Sequence, residues 1–71
     1  MHFSKTFVFT TISECAPFVL EIDSLCCRAW HDNKVRVTVE SEHNKRKVSA
    51  AAKRHKAKGE DGRQGKWRAT C

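Results

Sequence analysis

The chemistry available to this chain lies mainly in its cations. Between Asn44 and Lys58 the sequence NKRKVSAAAKRHKAK carries seven of them, Lys45, Arg46, Lys47, Lys53, Arg54, Lys56 and Lys58, and no acid. Ammonium and guanidinium groups at this density neutralise phosphates and release counterions, which gives affinity for a nucleic-acid backbone without base readout. Further on, Arg63, Lys66 and Arg68 surround Trp67, whose ring can stack on an unpaired base while the cations hold the adjoining phosphates. Residues 45–58 and 63–68 together hold ten cations. If roughly six to eight of them reach a single strand, log K falls with log salt at a slope of about −4 to −6.

The same residues suit acidic protein surfaces. Lys53-Arg54-His55-Lys56 fits the K-[KR]-x-[KR] pattern of nuclear import, so an import receptor and an acidic or RNA-binding protein join RNA as expected partners. Arg46-Lys47-Val48-Ser49 fits a basophilic kinase site, and a phosphate on Ser49 would add about 1.5 to 2 negative charges inside the basic run and weaken phosphate binding.

Thiols and imidazoles make a weaker case. Cys15, Cys26, Cys27 and Cys71 are even in number. If they were oxidised, the neighbours Cys26 and Cys27 would each reach Cys15 or Cys71, which leaves two connectivities. The cysteine density of short secreted proteins is missing, and free thiols are the expectation. For a metal, Cys27 and His31 stand four apart, but there is no C-x2-C pair, and His43 and His55 on one helix lie about three turns apart. No metal or cofactor is expected. Nucleophilic catalysis needs a Cys and a His converging in a pocket, and no Gly-rich loop or carboxylate cluster accompanies these residues, so the reading is non-enzymatic.

Positioning these groups falls to two unlike halves. Residues 1–40 hold four Lys/Arg against five Asp/Glu, whereas residues 41–71 hold ten against three, which together give the net +6. In the basic half Ser41 can cap a helix, Glu40 and Glu42 place negative charge at its positive pole, and Ala50, Ala51 and Ala52 favour it. Lys56 and Lys58 suit the negative pole, and Gly59 supplies a stop. Its apolar stripe, Val48, Ala51, Ala52 and His55, is narrow, and a helix of roughly 16 residues is marginal alone, so it is expected to order mainly on a partner. The segment GEDGRQGKWRATC reads as a flexible tail, unless Trp67 folds back over a core face.

In the first half, Thr6 to Ile12 reads as a strand with Phe7 and Phe9 on one face. Pro17 ends what precedes it, and Phe18, Leu20 and Ile22 alternate as a second strand. Val35, Val37 and Val39 alternate with Lys34, Arg36 and Thr38, after an Asp32-Asn33 turn. Arg28 to His31 then forms the return strand and brings Trp30 near the valine face or across from the cationic one. The fold class is small α+β or largely disordered: a short β-hairpin or meander in residues 1–40, a basic helical arm in 41–58 and a flexible basic tail in 59–71. Exposed strands Thr6 to Ile12 and Val35 to Val39 offer edges to another protein's sheet.

Lys5, Glu14, Glu21 and Asp23 interrupt every apolar run, so no membrane span is expected. A signal peptide with Lys5 as its basic end and Thr6 to Ser13 as its apolar stretch is poor, because Glu14 follows at once and no A-x-A site exists. The expected location is nucleus or cytoplasm. The leading expectation is a small non-enzymatic basic protein, regulatory in kind, that binds RNA or an RNA-binding partner through its C-terminal arm. The alternatives are a secreted cationic disulfide-containing peptide acting on an anionic membrane or host target, and a chain with little evolved function.

Overall fold

The computed structural model describes residues 2–58 and 67–70. Six elements follow in order: β1 (His2–Val8), α1 (Ile12–Glu21), β2 (Cys27–His31), β3 (Lys34–Val39), α2 (Glu42–Arg54) and β4 (Arg68–Thr70). The strands form one antiparallel sheet in the order β2-β3-β1-β4. Each helix therefore links two parallel strands that are separated by a third, antiparallel one. That is the split β-α-β, or ferredoxin-like, arrangement, a small α+β fold.

Register explains the single core. Phe3 lies opposite Val39 and Phe7 opposite Val35, so the valine face of β3 continues onto β1. Both helices cover this face. α1 contributes Cys15, Phe18 and Val19, with Ile22 just beyond its end, and α2 contributes Val48, Ala51 and Ala52. Phe18 sits at the centre, 5.3 Å from the Phe7 ring and 5.1 Å from the Phe9 ring. Asn33 ties the hairpin to the end of β1 twice: its side-chain amide donates to the Phe9 carbonyl at 2.6 Å, and its own carbonyl accepts from the Phe9 N–H at 2.8 Å.

The β2–β3 hairpin and its Asp32-Asn33 turn match the sequence reading, and Trp30, opposite Val35, lies on the valine face. Asp32 takes the left-handed conformation at φ 53°, which aspartate tolerates better than most residues. Elsewhere the expectations are corrected. The layout interleaves strands and helices and has two helices rather than one. The first strand begins at His2 and ends at Val8, and Ile12 opens α1. The supposed strand Phe18 to Ile22 belongs to that helix and the turn after it, because Cys15, Phe18, Val19 and Ile22 recur at helical spacing and bury together, while Leu20 is left 76% exposed. Pro17 does not end the segment but sits inside α1. At the helix start the Thr11 N–H and hydroxyl both donate to Glu14 Oε1, at 3.2 and 3.3 Å.

α2 is likewise corrected. It packs on the sheet of its own chain and ends at Arg54 rather than near Gly59. Lys56 adopts φ 62°, and the chain closes a Schellman turn in which the Ala57 N–H donates to the Ala52 carbonyl at 2.9 Å and the Lys56 N–H to the Lys53 carbonyl at 3.2 Å. Of the segment read as a flexible tail, residues 67–70 are ordered: Trp67 packs against the core and Arg68–Thr70 pairs with β1. Thr6 to Ile12 and Val35 to Val39 are not edges either, since β1 and β3 are the two inner strands. No helix among the described residues is long and apolar enough to cross a membrane.

Candidate nucleic-acid interface

The basic residues of α2 are sorted by the face on which each falls. Ser41 caps the helix by accepting from the Asn44 N–H at 3.1 Å, and the Asn44 side chain donates to the Leu25 carbonyl at 3.0 Å. These bonds, with buried Val48, Ala51 and Ala52, set the helix rotation. Arg46 and Lys53 then lie exposed on the opposite side, Lys47 lies exposed on a flank, and exposed Lys56 and Lys58 follow beyond the helix end. Lys58 is held there by its backbone N–H, which donates to the Val8 carbonyl at 2.6 Å. Among the described residues, none of these five forms an ion pair with an acid.

The other expected contacts are placed differently. Lys45 donates to Glu42 at 3.0 Å and lies over the Phe3 ring at 4.6 Å, at the flank of the helix. Arg54 grips the Glu21 carboxylate with both terminal nitrogens, one of them at 3.0 Å, and His55 Nε2 approaches the same carboxylate at 2.8 Å. The Arg54 and His55 contacts hold the Glu21 carboxyl down at about 2. Trp67 is half-buried with its ring 5.9 Å from Phe7, and its indole N–H donates to Ser49 Oγ at 2.9 Å. The hydroxyl read as a kinase site is therefore engaged in a tertiary bond. Arg68 pairs opposite Ser4, so it projects on the far side of the sheet from α2. Arg63 and Lys66 lie outside the described residues.

That far side is a second basic surface. Lys34 and Arg36 alternate with the buried valines and are exposed there with Arg68. The alternation of Lys34, Val35, Arg36 and Val37 contained this signal, but the residues fell in the half whose net charge is slightly negative. At one end of the sheet a recess of about 430 Å³ is lined by His2, Asp23, Cys26, Cys27, Glu40 and Asn44, among others. Its carboxylates do not suit phosphate. Burial pushes the Cys26 thiol up, and Cys26 Sγ donates to the Ile22 carbonyl at 3.4 Å. Burial also raises Cys15, and Cys15, Cys26 and Cys27 are all free thiols. No group of three or more His, Cys, Asp or Glu that could hold a metal ion gathers among the described residues.

Comparison with protein-family models, with curated proteins and with solved structures returned no match.

Proposed function

We propose that this chain is a small non-enzymatic protein that binds single-stranded RNA by its phosphates, through the outer face of α2 and the turn that follows it. The observation that carries the reading is the separation of faces. Val48, Ala51 and Ala52 hold the helix on the sheet, and Arg46, Lys47, Lys53, Lys56 and Lys58 stand exposed with no acid in the sequence between His43 and Lys58. A preformed face spares the ordering cost that an unfolded arm would meet on binding. Affinity then comes from counterion release and carries little base preference.

The test is a filter-binding titration of the full chain against unrelated single strands at several salt concentrations, beside the triple variant Arg46→Ala, Lys47→Ala, Lys53→Ala. Binding that weakens with salt and falls sharply in the variant supports the reading. A salt slope near zero would leave α2 as a docking face for an acidic protein instead.

A further inference from the structure

β2 is an edge strand, and its hairpin dictates which backbone groups it presents outward. The turn has two residues, so His31 and Lys34 form a hydrogen-bonded pair, and bonded pairs alternate along an antiparallel ladder. Cys27, Ala29 and His31 thus direct their N–H and C=O groups to β3, whereas Arg28 and Trp30 direct theirs away from it. All five residues are exposed, and among the described residues no backbone bond outside the sheet reaches Arg28 or Trp30. The strand has no proline and no lysine, two of the usual devices that blunt an edge.

We propose that β2 pairs antiparallel with β2 of a second copy of this chain, about a two-fold axis at Ala29, which joins the two sheets into one of eight strands. In this register Arg28 of each copy lies opposite Trp30 of the other. Both residues have outward backbone groups, so each of the two pairs exchanges two main-chain hydrogen bonds. Both side chains also project on the helix-covered face, as their pairing with Val37 and Val35 shows. A guanidinium therefore meets an indole twice across the axis, a cation–π contact that is self-complementary. Trp30 has area to give, being 45% exposed although its indole N–H already donates to the Asp32 carbonyl at 2.8 Å. Arg28 is steadied by an ion pair with Asp23, which lowers the cost of ordering it. This self-complementarity argues for a second copy over an unrelated strand.

Each copy carries a net charge of +6, so the two repel at long range and added salt favours their association. Phosphate binding responds to salt in the opposite sense, which separates this dimer from copies bridged by RNA.

The test is sedimentation of the nucleic-acid-free full chain over roughly 1 µM to 1 mM, at low and high salt, beside Trp30→Lys and Trp30→Glu. Lysine sets a cation against Arg28 at two places and should weaken the dimer by at least about tenfold. Glutamate offers Arg28 an ion pair and should preserve the dimer. Both variants remove the same indole from the monomer, so a merely structural role for Trp30 predicts equal loss in the two. Equal loss, or a monomer at every concentration and salt, would overturn the proposal. The axis is checked with Ala29→Cys and glutathione disulfide as oxidant: mass spectrometry should find residue 29 linked to residue 29, and a dimer lacking that link would sink the register.

Discussion

The two helices lie on the same face of one sheet and use it in opposite ways. α1 holds two glutamates and no Lys or Arg, and it buries a phenylalanine, a valine and a cysteine, with Ile22 completing the stripe. α2 holds one glutamate and five Lys or Arg, and it buries one valine and two alanines. The difference shows how a strongly charged helix can be held on so small a core. Small side chains let its backbone approach the sheet, and they leave the long cationic stems at the rim and on the outer side. The bulk of the packing is delegated to α1. A salt link between Glu21 of α1 and Arg54 and His55 at the end of α2 then joins the two.

The largest expected effect comes from breaking this division on the α1 side. Phe18 is fully buried and touches both Phe7 and Phe9, so Phe18→Ala should cost about 3–5 kcal/mol, close to all the stability that a domain of this size commands. Val48→Ala should cost about 1–2 kcal/mol, since it removes less volume from a neighbourhood of alanines. Urea denaturation of the two variants measures the contrast. Equal costs would mean that α2 shares the packing after all.

On the α2 side the effect should appear in binding alone. If binding rests on the five exposed cations of this face that form no ion pair among the described residues, rather than on all ten of residues 45–58 and 63–68, the slope of log K against log salt for a single strand should be about −2 to −3.5, shallower than counting charges in the sequence suggests. Replacing Arg46, Lys47 and Lys53 with alanine should reduce that slope to about −1 to −1.5, while the urea midpoint stays within the change of about 0.5 kcal/mol usual for surface sites. A large loss of stability in this variant would show that the cations also serve the fold.

How far each region could be read from sequence depended on how local its signals are. The β2–β3 hairpin was legible because Val35, Val37 and Val39 alternate and a turn pair precedes them, and the start of α2 was legible because Ser41 precedes an acid and a helix-forming run. α1 was not. Phe18 and Ile22 fit both a two-residue and a helical period, and what separates the two is the burial of Cys15 and the continuation of the helix through Pro17, neither of which has a local signal. Thr11 and Glu14, at the spacing of a helix start, were the missed clue. β4 has only three residues and no alternation, so its pairing with β1 leaves no trace in its own composition. Of the proposed site, the cation run is visible in the sequence, whereas the internal contacts of Lys45, Arg54 and Trp67 depend on residues distant in sequence.

The link between the helices gives a smaller, pH-dependent effect. Glu21 titrates at about 2 in the folded chain against an ordinary 4.5. A carboxyl whose folded pKa is depressed contributes stability above its unfolded pKa and loses it as pH falls through the folded one. The contribution should thus be intact above about pH 5 and decline towards pH 2. Glu21→Gln should remove that part of the acid sensitivity, and added salt should shrink the difference, because the carboxylate is partly exposed. Parallel pH profiles for wild type and variant, from thermal unfolding at several pH values, would show that Arg54 and His55 contribute nothing to the fold through Glu21.

The smallest effect concerns Lys56, a residue that serves both the fold and the proposed binding face. Lys56 takes the left-handed position of the turn that ends α2, where a side chain with a β-carbon costs about 1–2 kcal/mol and glycine costs none of it. Part of the gain from Lys56→Gly is returned through the greater freedom of glycine in the unfolded chain, about 0.5–1 kcal/mol, so a net stabilisation of about 0.5–1 kcal/mol is expected. The same change removes one of the five exposed cations and should make the salt slope shallower by about 0.7. Stability and affinity then move in opposite directions in a single variant. Lys58→Ala is the control: it lies past the turn, lacks the left-handed backbone and should lower affinity by a similar amount with no gain in stability. Urea midpoints and salt titrations of the two variants decide the matter. If glycine at 56 lowers affinity without raising stability, the left-handed turn is not strained by its lysine; if it raises stability and leaves the slope unchanged, Lys56 takes no part in holding phosphate.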